Sequence, residues 1–344
     1  MSNATAGSDA AKRNRRMLIA SLPEDRLEPG NFSLDEAPIS EPGDGEVLCR
    51  TLALTIGAGQ RAGLQGSASY AGAPEAGRVM GGSGIARVEA SNDDRFAVGD
   101  VVRAPTGWQD YSTPSGDELL GVDSSADPSD LLGALGTNGL TAYFGLLDLG
   151  QPSEGDTVVV SAAAGSVGHV VGQIAKRKGA TVVGIAGSDE KCSMLVDELG
   201  FDRAVNRKSD DFRGEFRAAT PDRIDVYFDN VGGPILESAL FRMNTGGRIV
   251  CCGAASQYDT ANPGPGPRGI PGLLVNNRVR MQGFLVFDYA ASYEQARAEL
   301  GAWVADGSLR PLVTSYDGLE SAPQAFVDLL GGATVGTTVV SVAP

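Results

Sequence analysis

Hydrophobic residues in the second half of the chain follow two alternating spacings, one typical of buried strands and the other of amphipathic helices. Residues 158–160 are consecutive valines with no polar alternation, which predicts a strand buried on both faces. From 167 to 175 the apolar residues recur three and four positions apart, which predicts a helix ending before Gly179. A second apolar run at 181–185 predicts another buried strand. These segments together predict a βαβ unit.

The same alternation continues toward the C-terminus. Strands are predicted at 204–206, 224–229, 248–252 and 279–286, and helices at 189–199, 210–220, 234–240 and 292–305. Residues 262–271 are rich in proline and glycine and predict an irregular loop. Strands that alternate with helices are typical of a doubly wound parallel sheet, whose ligands lie across the carboxyl ends of its strands.

The first half of the chain has a different pattern. Short strands are predicted at 17–20, 32–34, 46–54, 84–90, 101–103 and 110–112, separated by glycine and proline turns, which indicates a distorted β-barrel or sandwich. Residues 61–80 predict a long loop over a pocket, residues 1–14 a disordered start, and residues 312–342 a strand, a helix and a strand that return to the first domain. We therefore expect a substrate domain at 15–135, completed by 312–344, and a dinucleotide-binding domain at 136–311.

The turn of the predicted βαβ unit carries the dinucleotide-binding pattern, with alanine in place of its first glycine. Gly165 lets the backbone approach a pyrophosphate, and Gly168 lets the helix pack closely on the strand. The helix N-terminus adds N–H groups and a partial positive charge. A strand before the turn and a helix and strand after it favour a nucleotide site over a merely structural glycine turn.

The end of the second predicted strand favours NADPH over NADH. An NAD site usually places an acidic residue there, whereas residues 186–188 are small and leave room for a 2′-phosphate. Lys191 lies just beyond, and Arg207 near the end of the next strand could add a second cation. Asp189 and Glu190 are read as the start of the following helix, where acidic residues suit the dipole.

Composition and charge exclude several classes of function. The 344 residues carry a formal net charge of −15, which argues against nucleic acid or an anionic membrane as a partner. No apolar run is long enough to span a bilayer, and we expect a cytoplasmic enzyme. The four cysteines lack metal-ligand spacing, and the one histidine, His169, is expected at the surface or behind the site. We therefore predict no bound metal and no histidine acid–base chemistry.

Several motifs resemble one family. They are Gly-Trp-Gln-Asp-Tyr at 107–111, Gly-Leu-Thr-Ala-Tyr-Phe-Gly-Leu at 139–146, and the segments 162–176, 186–191, 228–233 and 252–254. From about residue 46 to its end the chain resembles the zinc-independent medium-chain dehydrogenase/reductases, and especially the prostaglandin/leukotriene, alkenal and curcumin reductases. The resemblance implies a GroES-like first domain, a Rossmann second domain, NADP(H), a homodimer, and reduction of a carbon–carbon double bond in an enone or enal.

The resemblance also implies roles for individual residues. Tyr258 matches a tyrosine whose hydroxyl stabilises the enolate oxygen that forms after hydride transfer to the β-carbon. The implied cofactor contacts are Gly165, Ser166, Val167 and Gly168 for the pyrophosphate, Lys191 for the 2′-phosphate, Asn230, Cys252 and Ser256 along the cofactor, and Phe284 and Val286 beside the nicotinamide. Arg207 and Thr334 stand where the family has a tyrosine and an asparagine near the cofactor.

The chain departs from the family on the substrate side. The family motif Asp-Pro-Tyr-Met-Arg aligns with residues 57–61, where only Arg61 is kept and the pocket tyrosine is missing. Ser83 stands where plant relatives have another tyrosine, and Asn138 lies where a Met-Pro pair is usual. These changes predict a roomier, differently polar pocket in which Asn138 and Tyr70 could share the substrate carbonyl with Tyr258.

Two other functions stay open from the sequence. One is a zinc-free, NADPH-dependent carbonyl or quinone oxidoreductase, which needs a proton relay at the carbonyl. The other is a non-catalytic NADPH-binding protein, which the missing motif tyrosine makes conceivable. The leading interpretation is an NADPH-dependent reductase of enones and enals.

Overall fold

A computed structural model describes residues 13–66 and 73–343. The first domain is built on a largely antiparallel sheet of seven strands in the order β14-β15-β3-β4-β5-β7, with β6 paired to β3, and on a separate hairpin of β1 and β2. Its elements before residue 135 are β1 (Arg13–Ile19), β2 (Phe32–Pro38), β3 (Val47–Ile56), α1 (Gly59–Leu64), β4 (Gly84–Ser91), β5 (Val101–Ala104), β6 (Tyr111–Ser112), β7 (Leu120–Gly121) and α2 (Pro128–Leu132).

The second domain contains a six-stranded parallel sheet in the order β10-β9-β8-β11-β12-β13. Its elements are α3 (Thr137–Phe144), β8 (Thr157–Ser161), α4 (Gly168–Arg177), β9 (Thr181–Ala186), α5 (Asp189–Asp197), β10 (Arg203–Asn206), α6 (Phe212–Ala219), β11 (Ile224–Asp229), α7 (Gly233–Leu240), β12 (Met243–Cys251), α8 (Ile270–Asn277), β13 (Arg280–Gly283) and α9 (Tyr293–Ala305). The strand order reverses between β8 and β11, which is where a doubly wound sheet binds its ligand.

The C-terminal elements β14 (Val313–Asp317), α10 (Ala322–Gly331) and β15 (Thr337–Ser341) lie with the first domain. β15 pairs antiparallel with β3, Thr338 standing opposite Ile56, and parallel with β14. The chain therefore crosses from the first domain to the second and returns, so that residues far apart in sequence meet at the boundary.

The valine run of β8 explains why the parallel sheet is buried on both faces. Val158 and Val160 contact the hydrophobic cluster that includes Val171 and Ile174 of α4, whereas Val159 faces a second cluster on the other side. All of these side chains are fully buried. Burial on both faces is why the strand reads as a continuous apolar run.

The structure differs from the sequence prediction in several segments. Two helices overlap predicted loops: Gly59–Leu64 and Ile270–Asn277. The second follows Gly269, which has a left-handed conformation, and carries a proline in its first turn. The strand expected at 279–286 spans only Arg280–Gly283, because a 3-10 turn starts at Val286. Arg13 and Asn14, expected to be disordered, belong to β1, where the buried Asn14 amide donates to the Tyr111 carbonyl at 2.9 Å. No helix in the described part of the chain is both long and apolar enough to cross a membrane.

Candidate active site

The glycine turn after β8 has the shape that a phosphate-binding loop requires. A Cβ atom on Gly168 would lie 2.3 Å from the Ala162 carbonyl oxygen and 2.8 Å from the Ala163 Cα, so only glycine fits there. Ala162 itself adopts a φ of 47°, which turns the chain sharply out of the strand. Gly165 forms a backbone bridge with Gly336, which places the return of the C-terminal segment directly against this turn.

His169 is buried beneath the same turn, with 1% of its surface exposed, and is not a surface residue as one reading of the sequence allowed. Its Nε2 accepts a hydrogen bond from the Leu312 N–H at 3.1 Å, and its Nδ1 lies 2.8 Å from the Gly165 carbonyl oxygen. A neutral ring with its hydrogen on Nδ1 satisfies both contacts. Burial lowers the pKa of His169 to about 4. The residue therefore braces the loop as a neutral group.

Cations gather at the carboxyl ends of β9 and β10. The Lys191 Nζ donates to the carbonyls of Gly332 and Thr334, each at 2.7 Å. The Arg207 guanidinium covers the bare face of Gly187, with its Nε 3.7 Å from the position of a Cβ there. Burial lowers the pKa of Lys191, and the charges of Lys208 and Arg207 lower it further. A bound 2′-phosphate would relieve the repulsion between these cations.

Lys208 is the member of this group that the sequence did not point out. It follows Arg207 in the chain but lies beyond the end of β10, so no periodicity brings it toward Lys191. Thr334, chosen by the resemblance, contributes its carbonyl to Lys191 in this structure.

The turn after β11 is held by buried polar contacts. The Asn230 amide donates to the Ser161 carbonyl at 2.7 Å, and the Asn230 N–H donates to the Ser161 Oγ at 2.9 Å. The Asp229 carboxylate accepts from the Gly232 N–H at 2.9 Å and from the Tyr227 hydroxyl at 3.0 Å. Burial raises the pKa of Asp229. These contacts set the backbone of the turn and hold the Asn230 side chain against the end of β8, while its contact with the cofactor stays a prediction.

Cys252 and Ser256 follow the end of β12. Burial raises the pKa of the Cys252 thiol to about 12, which makes it a packing group rather than a nucleophile. The Ser256 Oγ donates to the Val231 carbonyl at 2.6 Å and thereby joins the turns after β11 and β12. Both residues lie just after the carboxyl end of β12, and their contact with the cofactor stays a prediction.

Tyr258 follows at the same edge of the sheet, with its hydroxyl near the carboxyl end of β12. The Tyr258 hydroxyl oxygen accepts a hydrogen bond from the Ala254 N–H at 2.9 Å, and a Cβ on Gly253 would lie 3.3 Å from it. A phenol both accepts and donates. The contact with the backbone fixes the hydroxyl oxygen near the end of β12.

The remaining predicted residues are more scattered. Phe284 packs on Gly145, where a Cβ would meet its ring at 2.5 Å, and Val286 is buried beneath the same edge. Asn138 lies in the first turn of α3, and among the described residues no hydrogen bond joins it to Tyr258. Tyr70 lies outside the described residues. A shared role of Asn138 and Tyr70 at the carbonyl stays a prediction.

Two protein-family models match different parts of the chain. A family model described as the N-terminal domain of oxidoreductase matches residues 15–122, and one described as a zinc-binding dehydrogenase matches residues 166–302. In residues 13–66 and 73–343, however, no group of three or more His, Cys, Asp or Glu side chains is placed to hold a metal ion. The donor set of a zinc site is therefore missing from this part of the chain.

Two relatives and one solved structure cover almost the whole chain. The NADPH-dependent curcumin reductase of Escherichia coli (strain K12) is 42% identical, over 96% of this chain and 98% of that protein. Prostaglandin reductase 1 of Mus musculus is 41% identical, over 90% of this chain and 94% of that protein. The crystal structure of CurA from Vibrio vulnificus in complex with NADPH superposes with a TM-score of 0.92 at 41% identity, over 96% of this chain and 99% of that chain. The likeness confirms the two-domain fold that the sequence predicted.

Proposed function

Because this chain belongs to the zinc-independent medium-chain dehydrogenase/reductases, the family of the curcumin and prostaglandin reductases, we propose that it is an NADPH-dependent reductase of α,β-unsaturated ketones and aldehydes. The observation that carries the proposal is the placement of Tyr258. Its hydroxyl lies on the sheet edge that also carries the phosphate turn at Gly165 and Gly168.

The residues of this edge fit NADPH. Gly168 lets α4 pack closely on the end of β8, and the N-terminus of α4 offers N–H groups to a pyrophosphate. Lys191, Arg207 and Lys208 supply positive charge for the 2′-phosphate. When bound, NADPH supplies the hydride that adds to the β-carbon of the substrate, and a proton at the α-carbon completes the saturated carbonyl compound. The protein holds the nucleotide with a preformed backbone and fixed cations.

Tyr258 acts where charge develops on the substrate. As the double bond is reduced, negative charge collects on the carbonyl oxygen, and a hydroxyl donating to that oxygen stabilises the enolate. The bond from the Ala254 N–H to the Tyr258 oxygen withdraws electron density from the phenol and holds it in place. Donation therefore costs little reorganisation at the moment of reaction.

The carbonyl or quinone oxidoreductase alternative is less well supported. It needs a side chain that passes a proton to the carbonyl, and His169 is buried under the loop with its Nδ1 and Nε2 both engaged with backbone groups. The Tyr258 hydroxyl supports polarisation of the substrate carbonyl oxygen, which reduction of the carbon–carbon double bond requires. The geometry favours reduction of the carbon–carbon double bond.

We also propose that the enzyme is a cytoplasmic homodimer. Among the described strands β13 lies at the edge of the parallel sheet, and beside it Leu285 is 43% exposed and Phe287 58% exposed. An exposed edge strand with apolar neighbours can pair with the same strand of a second copy. The four cysteines are free thiols, as is usual in a reducing compartment.

The proposed function is tested with purified protein, NADPH, and a panel of enones, enals and quinones. We expect loss of nicotinamide absorbance and products identified by mass and NMR as saturated carbonyl compounds. Tyr258→Phe should lower kcat about a hundred-fold, the usual effect of removing one oxyanion donor, while NADPH binding is unchanged. Allylic alcohols or hydroquinones as the main products would support the alternative oxidoreductase, and NADPH binding without turnover would support the non-catalytic one.

A further inference from the structure

Arg61 is a buried cation that reaches from the first domain to the segment carrying Tyr258. Its side chain is 1% exposed. The Arg61 Nε donates to the Asp259 Oδ1 at 2.9 Å, and its Nη2 donates to the Asp25 carbonyl at 2.7 Å. The same Asp259 oxygen accepts from the Leu27 N–H at 2.7 Å. Asp259 is therefore tied to two separate parts of the first domain.

Further bonds fasten the residues that follow Asp259. The Ala261 N–H donates to the Asp25 Oδ1 at 2.8 Å, and the Gln65 amide donates to the Thr260 carbonyl at 3.4 Å. Beyond them, residues 262–266 are exposed and rich in proline and glycine. Before them, residues 255–257 form one exposed 3-10 turn. Tyr258 thus lies between a single exposed turn and a segment anchored on the first domain.

We propose that Arg61 and Asp259 are positioning residues for Tyr258. Their ion pair fixes the residue next to the tyrosine, and so holds the hydroxyl at the Ala254 N–H and toward the substrate. This inference rests on the proposed role of Tyr258 in enone reduction. It also gives a reason why Arg61 is the one residue of the family motif at 57–61 that this chain keeps.

The contacts of Arg61 are better suited to orientation than to stability. Its guanidinium is buried beside an apolar cluster that includes Leu27 and Leu64, where a hydrophobic side chain of similar size would pack without desolvating a charge. One of its nitrogens, Nη1, is buried with no hydrogen-bond partner among the described residues. The fixed fork of an arginine nevertheless joins Asp259 and Asp25 at a defined angle, which an apolar side chain cannot do.

The first test combines Asp259→Asn with Tyr258→Phe in a double-mutant cycle. Asparagine keeps the shape and one acceptor oxygen but removes the charge. We expect Asp259→Asn to lower kcat roughly ten-fold through misplacement of Tyr258, with KM for NADPH unchanged. In the Tyr258→Phe background the same change should cause no further loss, because the group it positions is gone. Multiplicative effects, or an unchanged kcat, would overturn the proposal.

A second variant separates positioning from folding. Arg61→Met combined with Asp259→Leu replaces the buried pair by apolar residues, so we expect a melting temperature near that of the wild type together with the reduced kcat. The matched control for Asp259→Asn is Asp156→Asn, which breaks an ion pair with Arg248 away from Tyr258, near the amino ends of the strands. Asp156 and Asp259 are 21% and 22% exposed, and the control should leave kcat unchanged.

Hydrogen–deuterium exchange tests the proposal without any turnover. The Ala254 N–H is bonded to the Tyr258 hydroxyl, so a displaced tyrosine should speed exchange of peptides covering residues 253–261 in Asp259→Asn. Peptides covering β8 should be unchanged. Unaltered exchange at 253–261 would overturn the positioning role even if the enone reaction is found. A wild-type enzyme that reduces no enone, with the faster exchange still observed, would refute the proposed function and leave the coupling of Arg61 to this segment in place.

Discussion

The Nε2 of His169 accepts a hydrogen bond from the Leu312 N–H at 3.1 Å, which joins the first turn of α4 to the start of the C-terminal return. The other ring nitrogen lies 2.8 Å from the Gly165 carbonyl. One neutral side chain therefore connects the phosphate turn, its helix and the segment leading into β14. The contact makes the loop at which we place the cofactor depend on the protonation state of a buried residue.

Stability should fall as the pH drops from about 6.5 to about 4. His169 has a folded-state pKa of about 4 against an ordinary value of 6.5, so in this range the unfolded chain binds the extra proton and is favoured. Above pH 6.5 the neutral His169 contributes on the order of 3 kcal/mol to the free energy of unfolding, relative to pH values below about 4. Urea unfolding of the wild type and of His169→Asn at several pH values measures it. In His169→Asn this pH-dependent part of the free energy of unfolding should be absent. Equal losses of stability with falling pH in the wild type and the variant would contradict the role of His169.

Removing the cations of the 2′-phosphate pocket should change the choice of cofactor. Lys191→Ala and Arg207→Ala should each weaken NADPH binding about ten- to hundred-fold, the usual range for a hydrogen bond to a charged group. NADH binding should change little, because NADH has no 2′-phosphate. Fluorescence titration with both nucleotides measures the ratio. Lys178→Ala, an exposed change after α4, is the control, and equal losses for NADPH and NADH would refute the assignment.

Gly168→Ala should damage both the phosphate turn and the fold. The added Cβ would meet backbone atoms at 2.3 and 2.8 Å, which cannot move aside as a flexible side chain can. We expect a loss of about 1–3 kcal/mol in the free energy of unfolding, and NADPH affinity reduced at least about ten-fold as the turn shifts. The control is Gly264→Ala, where nothing lies within 4 Å of the added atom. Calorimetry and titration should show a normal control, and an unaffected Gly168→Ala protein would be inconsistent with the close packing described.

The proposed homodimer should come apart when charge is placed beside its edge strand. Leu285→Glu puts a carboxylate next to β13, at a side chain that is 43% exposed, and should give monomers at concentrations where the wild type is dimeric. Analytical ultracentrifugation measures the molecular mass. Val98→Glu, at a side chain 71% exposed in the first domain, should leave the dimer intact. If Leu285→Glu remains dimeric, the interface lies elsewhere.

The sequence alone predicted the parts of the fold that depend on local pattern. The valines of β8, the helical spacing of α4 and the glycines between them predict the βαβ unit, because burial on both faces and close helix packing restrict which residues can stand there. The same reasoning places Lys191 and Arg207 just beyond the ends of successive strands, and in the structure the charge of Arg207 lowers the pKa of Lys191. Their contact with a 2′-phosphate stays a prediction. Tyr258 came from the resemblance, and its neighbourhood on the rim follows from the strand order.

Tertiary structure alone decided which distant residues support that site. The ion pair of Arg61 and Asp259 joins positions 198 residues apart, and the bond from Leu312 to His169 spans 143. No periodic or local pattern in the sequence indicates either contact. Both contacts exist because the chain returns to the first domain and packs it against the second. Local sequence determines which residues form strands, helices and turns, whereas the packing of one domain on the other determines which charges and buried donors meet.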